Sequence, residues 1–379
     1  MPSWNIYFDV RIETNNKEVV SLLAKCRALA SVINQIPITP SRQHRIDSLN
    51  ILRAVRGTTG IEGAQLTEEE VKLILEAGQK SVLPPSRRRE EQEARNARNL
   101  MTYVARILNR NPNCPLTEEL ACKLHEITTR NIDYPNNVPG KYRTFAVSAG
   151  NYIPSRTVTE VQDLMKRFID WFNLGLPREW DPIIGAVVAH FFLVSIHPFG
   201  DGNGRTSRAV ESFLLFKAGV NARGFYSLAN YYYQHRQEYV LLLDKVRFET
   251  NGDLTPFVLF ALCGLVSELE EVHKEVLFEV REIAFRDFAR EKLHEKLFTK
   301  AGERMLRFVI MLGNETVPVK AIRRSEHPLA HLYRGLTAKT LSRDMNYLTN
   351  KGLILVEEGK IRANFEIMGK FVPPYELFR

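Results

Sequence analysis

Apolar residues recur at helical spacing along most of the chain, and this pattern predicts a mainly α fold. Residues 22–30 place apolar side chains on one helix face, and residues 67–70 form a capping box that opens another helix. Residues 182–196 are apolar nearly all round, so this helix is expected at the centre of a domain. A second apolar helix is predicted over residues 206–217, and the run between the two helices is therefore a connecting loop.

The pattern changes between residues 134 and 154, where Pro, Gly and Asn are frequent. Within this stretch, residues 142–147 have the character of an extended segment. We therefore expect a short β-hairpin here, and it is the only clear β element predicted in the first 300 residues.

The last 80 residues combine one helix with one hairpin. Residues 336–348 predict a helix with Leu341, Met345 and Leu348 facing inward. Residues 353–364 then predict a hairpin that turns at Glu358-Gly359-Lys360. A helix followed by a β wing is the pattern of a winged helix-turn-helix domain.

The composition is that of a soluble globular protein, with a formal net charge of +8 over 379 residues. No apolar run is long enough for a membrane span, and the N-terminus has no signal-peptide pattern, so we expect a cytoplasmic protein without membrane contact. The four cysteines form no CxxC pair, which argues against a zinc site. Residues 301–379 contain 13 Lys and Arg against 8 Asp and Glu, a basic excess that suggests a nucleic-acid partner.

The loop at residues 197–208 combines glycines with two arginines. Glycines allow the backbone to approach a phosphate closely, and the helix that begins near Arg205 adds its positive N-terminal end. Arg205 and Arg208 are three residues apart, so they share one helix face and both can reach a polyphosphate. This part of the loop predicts a site for a phosphorylated ligand.

The same loop also contains a base and a metal ligand. Asp201 suits Mg²⁺, which prefers one or two carboxylates together with substrate phosphates. His197, at the end of the buried helix, is placed to take a proton from an incoming hydroxyl. We expect Phe199 to point into the core and fix the loop there.

The segment His197-x-Phe-x-Asp-Gly-Asn-Gly-Arg-x-x-Arg208 resembles the Fic family motif at every defining position. Fic proteins are mostly transferases that move AMP from ATP to a Ser, Thr or Tyr hydroxyl of a protein. The resemblance implies a Fic-type helical bundle with a β-hairpin flap, joined here to the C-terminal winged helix. It implies His197 as the general base and Asp201 as the Mg²⁺ ligand, and it covers about residues 115–255 most closely.

The resemblance also implies the nucleotide contacts, with ATP as the substrate. The expected ATP-binding residues are Gly202, Asn203, Gly204, Arg205, Thr206, Ser207, Arg208 and Tyr239. Arg205 and Arg208 would hold the distal phosphates, and Arg208 would reach the γ-phosphate. One departure concerns the adenine pocket, where the family often has Arg-x-x-Tyr-Tyr and this chain has Arg236-Gln-Glu-Tyr239-Val240. Residues 231–233, three tyrosines, are an alternative source of the missing aromatic contact.

Two further segments resemble parts of the family. Residues 140–150 resemble the flap that holds the target segment by strand addition, with Val147, Ser148 and Ala149 as its contacting residues. Thr58-Thr-Gly-Ile-Glu62-Gly63 matches the family's inhibitory motif. Glu62 can form a bidentate pair with Arg208 and so remove the arginine that orients the γ-phosphate. We therefore expect low activity in the resting protein.

These features predict three regions: an N-terminal helical region at 1–110 with the inhibitory motif, a Fic core at 111–290 and a winged helix at 295–379. The leading function is a protein adenylyltransferase whose partners are ATP and a hydroxyl-bearing protein, with the chain itself included as a target. Removal of AMP with the help of Glu62, and transfer of UMP or phosphate, remain open. So does DNA binding through residues 301–379, where Lys339, Arg343 or Asn346 would meet the major groove. The alternative for that domain is protein contact or homodimer formation.

Overall fold

The computed structural model describes residues 6–135, 137–149, 152–154, 157–220, 228–323 and 327–371. The chain divides into two compact units, Met1–Lys274 and Glu275–Arg379. The predicted domain bounds, 1–110, 111–290 and 295–379, stay a prediction beside this division. Among the described residues, no helix has both the length and the apolar character needed to cross a membrane.

The first unit is built from α-helices. They are α1 Lys17–Gln35, α2 Pro40–Ile61, α3 Glu68–Glu76, α4 Arg88–Arg110, α5 Glu118–Thr129, α6 Val158–Asp170, α7 Pro182–Ile196, α8 Asn203–Lys217, α9 Ala229–Gln234, α10 Arg236–Phe248 and α11 Thr255–Lys292, whose last residues belong to the second unit. The prediction of a mainly α fold is confirmed. The predicted capping box is also present, because Thr67 and Glu70 each accept a hydrogen bond from the other's backbone N–H.

Helix α7 is the central helix of this unit, as its sequence predicts. Asp181 caps it by accepting a hydrogen bond from the N–H of Ile183 at 2.8 Å, and every residue from Ile183 to Ile196 is buried. Burial of large apolar side chains stabilises by about 1.5–3 kcal/mol each, which explains why this helix is held rigidly. Helix α8 packs along α7 and begins at Asn203, one turn earlier than the pattern of apolar residues predicts.

The flap has less regular structure than the sequence suggests. Between residues 141 and 149 the structure assigns no strand, and the hairpin contributes one antiparallel bridge, between Ala149 and Tyr152. Each of these two residues donates its N–H to the carbonyl of the other. Residues 150 and 151, which lie between them in the sequence, are outside the described residues.

The second unit contains α12 Lys300–Leu312, α13 Ala338–Asn350 and a small antiparallel sheet. The sheet is formed by β1 Val317–Pro318, β2 Ile354–Glu357 and β3 Lys360–Ala363, in the order β1-β3-β2. The predicted helix-then-hairpin order is present, and the inward residues of α13 are buried as expected: Leu341, Met345 and Leu348. The winged helix-turn-helix assignment itself stays a prediction.

Candidate active site

The loop from His197 to Gly202 turns the chain from α7 into α8 through two left-handed residues. His197 ends α7 with φ 51°, and Gly202 precedes α8 with φ 73°. A Cβ at Gly202 would lie 2.7 Å from Thr129 Cγ2, so only glycine fits there. Asn203 closes the loop, because its amide accepts from the N–H of Phe199 at 2.8 Å and donates to the carbonyl of Phe199 at 2.9 Å.

Phe199 anchors this loop in the core, as predicted. It is fully buried and stacks on His125 of α5 with ring centroids 3.8 Å apart. His125 Nδ1 accepts a hydrogen bond from the N–H of Gly140 at 2.9 Å, so its Nε2 carries the proton and donates to the carbonyl of Asp201 at 2.9 Å. Burial lowers the pKa of His125 to about 4, and the ring is neutral. His125 thus ties Gly140, at the start of the flap segment, to Asp201, the predicted metal ligand.

His197 is held so that one ring nitrogen is available as a base. Its Nδ1 lies 3.1 Å from the carbonyl of Val194, which can only accept, so Nδ1 carries the proton and Nε2 keeps its lone pair. Arg143 of the flap segment fixes the backbone here, because it donates to the carbonyl of His197 at 2.8 Å. Burial lowers the pKa of His197 to about 4, with Arg247 and Arg143 adding to the effect. The imidazole is therefore neutral and able to accept a proton at pH 7.

Arg205 is buried and shared among three partners. Its Nη1 donates to the hydroxyl of Tyr134 at 2.5 Å and lies 3.0 Å from Glu93 Oε1, while its Nη2 lies 3.2 Å from Asp201 Oδ1. Tyr134 in turn donates to Glu93 Oε1 at 2.6 Å. Contact with a phosphate stays a prediction for Arg205, and in the structure both terminal nitrogens of its guanidinium lie against protein groups.

Asp201 fits the role of a magnesium ligand. Its side chain is 40% exposed, and its Oδ1 accepts from the N–H of Gly202 and from Arg205. Among the described residues, no hydrogen bond reaches its Oδ2, which leaves one oxygen for a cation. The described residues hold no cluster of three or more His, Cys, Asp or Glu ligands, so a metal here would take its remaining ligands from water and substrate phosphates.

Arg208 is buried and is bound by the end of α2. Its Nε donates to Thr58 Oγ1 at 3.0 Å, and its Nη2 donates to the Thr58 carbonyl at 3.1 Å and to Glu62 Oε1 at 2.7 Å. Arg208 therefore contacts one oxygen of Glu62. The predicted bidentate pair is not formed, because Arg208 Nε donates to Thr58 Oγ1 and not to Glu62. Glu62 also lies against Gly204, where a Cβ would come within 2.5 Å of its Oε1.

Glu62 is ionised in this arrangement. Burial opposes its ionisation, but Arg208 and Arg205 outweigh burial and hold the pKa of Glu62 below its ordinary value. Its side chain is 36% exposed and borders a cleft of about 410 Å³, which Asp201 and Arg205 also line. The predicted inhibitory glutamate and the predicted metal ligand therefore line the same cleft.

The last turn of α2 is fixed by its other neighbours. Gly57 meets the backbone of α9, where a Cβ would lie 2.6 Å from Asn230 N, and a Cβ at Gly60 would lie 2.5 Å from Cε2 of the Tyr233 ring. Arg236 donates to the carbonyl of Ile61 at 3.0 Å. Asn230, Tyr233 and Arg236 therefore position the turn that carries Glu62.

The remaining predicted residues have varied surroundings. Thr206 and Ser207 are buried and donate their hydroxyls to the carbonyls of Gly202 and Asn203, both at 2.8 Å. Tyr239 is 3% exposed and its hydroxyl lies 2.9 Å from His190 Nε2, so the structure places it in the core and does not bring it to the loop surface. In the flap, Ser148 is exposed and Val147 and Ala149 are partly exposed.

Sequence reasoning missed the groups that hold the site in place. They lie far along the chain from the loop: Glu93 in α4, His125 in α5, Tyr134 in the segment after α5 and Arg143 in the flap segment. The sequence gives no signal for Glu93, which lies just after a run of charged residues at 87–91. Its burial depends on packing against α8, which a single sequence does not reveal.

Comparison with known proteins agrees with this geometry. Residues 115–215 match the Fic/DOC family. Over 204 residues, which are 54% of this chain and 38% of the relative, the chain is 32% identical to a "Protein adenylyltransferase Fic" of Culex quinquefasciatus. It is 29% identical over 201 residues to "Protein adenylyltransferase fic-1" of Caenorhabditis elegans, of which it covers 37%. The chain thus spans under two fifths of the length of these curated relatives.

Solved structures show the same fold. A Fic family protein from Desulfovibrio desulfuricans aligns over 96% of this chain and 98% of its own, with a TM-score of 0.56 and 19% identity. Residues 134–508 of Fic-1 from C. elegans align over 67% of this chain and 71% of their own, with a TM-score of 0.54 and 26% identity. The loop geometry, the family match and these structures together show a Fic-type fold, with a Fic/DOC domain at residues 115–215 of this chain.

Proposed function

We propose that this protein is a protein adenylyltransferase that transfers AMP from ATP to a hydroxyl side chain of a protein. The observation that carries the proposal is the loop between α7 and α8, where a neutral His197 faces the start of a helix that carries Arg208. The hydroxyl oxygen of the target attacks the α-phosphorus of ATP, and the bond from that phosphorus to the bridging oxygen breaks. Pyrophosphate leaves, and the hydroxyl proton passes to His197 Nε2.

The loop supplies the phosphate contacts. The first N–H groups of α8, from Asn203 to Arg205, lack partners within the helix and carry the positive end of its dipole. Arg208 contributes its charge to the γ-phosphate once Glu62 has left it. Asp201 would hold Mg²⁺, which supplies charge neutralisation for the phosphates when it is bound.

The flap is proposed to hold the target segment. Ala149 and Tyr152 already pair as an antiparallel bridge, which supports an edge to which an extended peptide adds. The hydroxyl of Tyr152 donates to the carbonyl of Ser195 in α7, so the base of the flap is fixed to the helix that presents His197. Val147, Ser148 and Ala149 are its proposed target contacts.

Glu62 is proposed to restrain the reaction. While its Oε1 is bound to Arg208 and lies against Gly204, the γ-phosphate cannot reach either group. A triphosphate bound without that contact is misoriented for attack, and small misplacements cost large rate factors. Replacement by Gly removes the carboxylate and is expected to raise the rate of labelling by about 10-fold or more.

A native lysate tests the reaction directly. It is incubated with ATP and the Glu62→Gly variant, and modified peptides are identified by mass spectrometry. We expect a mass addition of adenosine plus phosphate on Ser, Thr or Tyr, and no such addition with the Glu62→Gly/His197→Ala control. Equal modification by the control would reject His197 as the base, and an addition of UMP or phosphate alone would reject AMP transfer.

The reverse reaction is a second candidate for the same site. Glu62 and Asp201 line one cleft, which supports a role for the glutamate in orienting a water for removal of AMP. An AMP-modified target incubated with the wild-type protein distinguishes the two directions. Loss of AMP that requires Glu62 supports removal, whereas retention of AMP supports restraint alone.

The second unit supports a separate proposal of DNA binding. Lys339, Arg343 and Asn346 are all exposed on α13, as the predicted recognition surface requires. A mobility shift on genomic fragments, followed across salt concentration, tests it. Sequence preference with a steep fall in affinity at higher salt supports DNA binding, and the absence of any shift contradicts it.

A further inference from the structure

We infer that Glu93 is a positioning residue that acts through Arg205 to keep Asp201 ready for a metal-bound nucleotide. This inference rests on the proposed function, since it assigns a task to a residue outside the Fic loop. Glu93 lies on α4, more than 100 residues before the loop, and it touches none of the reacting groups. Its contacts instead fix the one arginine that lies between it and Asp201.

Glu93 is a buried carboxylate that receives three donors. It is 6% exposed, and its Oε1 lies 3.0 Å from Arg205 Nη1, 2.6 Å from the hydroxyl of Tyr134 and 3.2 Å from Arg89 Nε. A buried charge is tolerated only when it is paired and hydrogen-bonded. These three donors converge on one oxygen, and Glu93 is the carboxylate nearest to this end of Arg205.

The pairing divides the guanidinium of Arg205 between two carboxylates. Nη1 is occupied by Glu93 and Tyr134, so only Nη2 reaches Asp201, at 3.2 Å from its Oδ1. The Nε of Arg205 is buried and has no partner among the described residues. Asp201 is therefore oriented by one arm of the arginine while its second oxygen is left for a cation.

Without the charge of Glu93 this division would fail. A neutral side chain at residue 93 would leave the buried arginine with Asp201 as its nearest carboxylate, and the guanidinium would shift toward both oxygens of Asp201. Arginine binds a carboxylate most strongly in that two-pronged manner. A metal ion would then compete with Arg205 for Asp201, and its affinity would fall.

The same helix provides a matched control. Glu91 is also buried, at 1% exposure, and is also paired with an arginine, Arg95. Its other contacts are the hydroxyl of Ser81 and the N–H groups of Val82 and Leu83, in the turn after α3. A purely structural role of buried glutamates on α4 would therefore affect Glu91→Gln and Glu93→Gln alike.

The test measures metal-dependent binding as well as turnover. Mn²⁺ and a non-hydrolysable ATP analogue are titrated by calorimetry into the Glu62→Gly protein, into Glu62→Gly/Glu93→Gln and into Glu62→Gly/Glu91→Gln. We expect the Glu93 variant to weaken Mn²⁺-dependent nucleotide binding by about 10-fold, as loss of a group that orients a metal ligand usually does. The Glu91 variant should stay within about twofold of its parent while its melting temperature falls.

A second variant keeps the inference testable if the Glu93→Gln protein folds poorly. Tyr134→Phe keeps Glu93 and removes only the hydroxyl that binds both Glu93 and Arg205. We expect a weaker shift in the same direction, about threefold, because one hydrogen bond is lost. Equal Mn²⁺ affinity in the parent, the Glu93 variant and the Tyr134 variant would overturn the inference.

The outcomes separate this inference from the proposed function. Mn²⁺-dependent binding that depends on Glu93, without any AMP transfer by the parent, would reject adenylyl transfer and support the positioning role. If Glu93→Gln leaves the rate of AMP transfer unchanged at limiting Mg²⁺, the positioning role is rejected and the proposed function is supported. No metal-dependent nucleotide binding by the parent would reject both.

Discussion

Two helices of this protein begin with a similar set of groups and use them differently. Helix α8 presents Arg205 and Arg208 in its first two turns, and helix α13 presents Lys339 and Arg343 in its first two turns. The arginines of α8 are buried, and each has a carboxylate partner, whereas Lys339 and Arg343 of α13 are exposed. The charges are alike in number, but only those of α8 are held in defined geometry.

The difference lies in what burial demands. A buried guanidinium must be paired, and the partners that pair it fix its position and control its availability. Glu93 fixes Arg205, and Glu62 occupies Arg208. An exposed Lys or Arg needs no partner and contributes charge to a surface, with little effect on folding. Burial on α8 therefore produces two arginines whose positions are fixed by carboxylates from distant segments.

The largest expected difference between the two helices concerns activity. In the Glu62→Gly background, His197→Ala is expected to lower the rate of AMP transfer by about 10³-fold, because it removes the base before α8. His331→Ala, which changes an exposed histidine close to α13, should leave that rate unchanged. The rates are measured with labelled ATP. A similar fall in both variants would show that the loop before α8 is not the catalytic site.

The next difference concerns stability. Arg208→Ala should lower the free energy of unfolding by about 2–4 kcal/mol, since Glu62 loses its partner and the carbonyl of Thr58 loses a donor. Arg343→Ala, at an exposed position, should change it by no more than about 0.5 kcal/mol. Urea unfolding measures both, and an equal effect of the two substitutions would contradict the contrast.

Two glycines before these helices provide a smaller contrast. Gly202 and Gly335 have nearly the same left-handed φ, 73° and 76°, and alanine is strained at both by about 1–2 kcal/mol. At Gly202 the added Cβ also meets Thr129 at 2.7 Å, whereas nothing lies within 4 Å of one at Gly335. We expect Gly202→Ala to cost about 1–3 kcal/mol more than Gly335→Ala in urea unfolding. Equal costs would mean that the loop before α8 is not tightly packed.

The last effect is a dependence of stability on pH, which is small near pH 7 and grows in acid. The folded pKa values of His125 and His197 are lowered to about 4, so in acid the unfolded chain binds protons that the folded chain does not. This destabilisation is absent above the unfolded pKa and grows as pH falls from about 6.5 towards 4, by about 1.4 kcal/mol per pH unit for each histidine. Melting temperatures recorded for wild type and His125→Asn should show a shallower fall in the variant. Parallel curves would contradict a buried neutral His125.

The sequence predicted the parts of this site that are local in the chain. The apolar residues of 182–196 and the glycines and charges of 197–208 were enough to place a loop between two buried helices. The fold class and the burial of Phe199 followed from the same pattern. These features depend on neighbouring residues, whose spacing is visible in a single sequence.

The remaining features depend on which distant segments meet. Asn203 lies in a glycine-rich loop and was predicted to bind ATP. Its side chain instead closes the loop on Phe199, so only its backbone N–H would be available to a phosphate. Tyr239 matches a family position, yet its hydroxyl is bound to His190 in the core. In the sequence Glu93 lies among charged residues, and only the packing of α4 against α8 buries it. In each case tertiary packing decides what the side chain binds.

The central claim is that the loop at 197–208 transfers AMP and that Glu62 withholds Arg208 from it. The most direct measurement incubates purified wild type, Glu62→Gly and Glu62→Gly/His197→Ala with ATP labelled on either the α- or the γ-phosphate. The account predicts protein labelling from α-labelled ATP by Glu62→Gly, much weaker labelling by wild type and none by the double variant. Labelling from γ-labelled ATP, or equal labelling by wild type and Glu62→Gly, would contradict it.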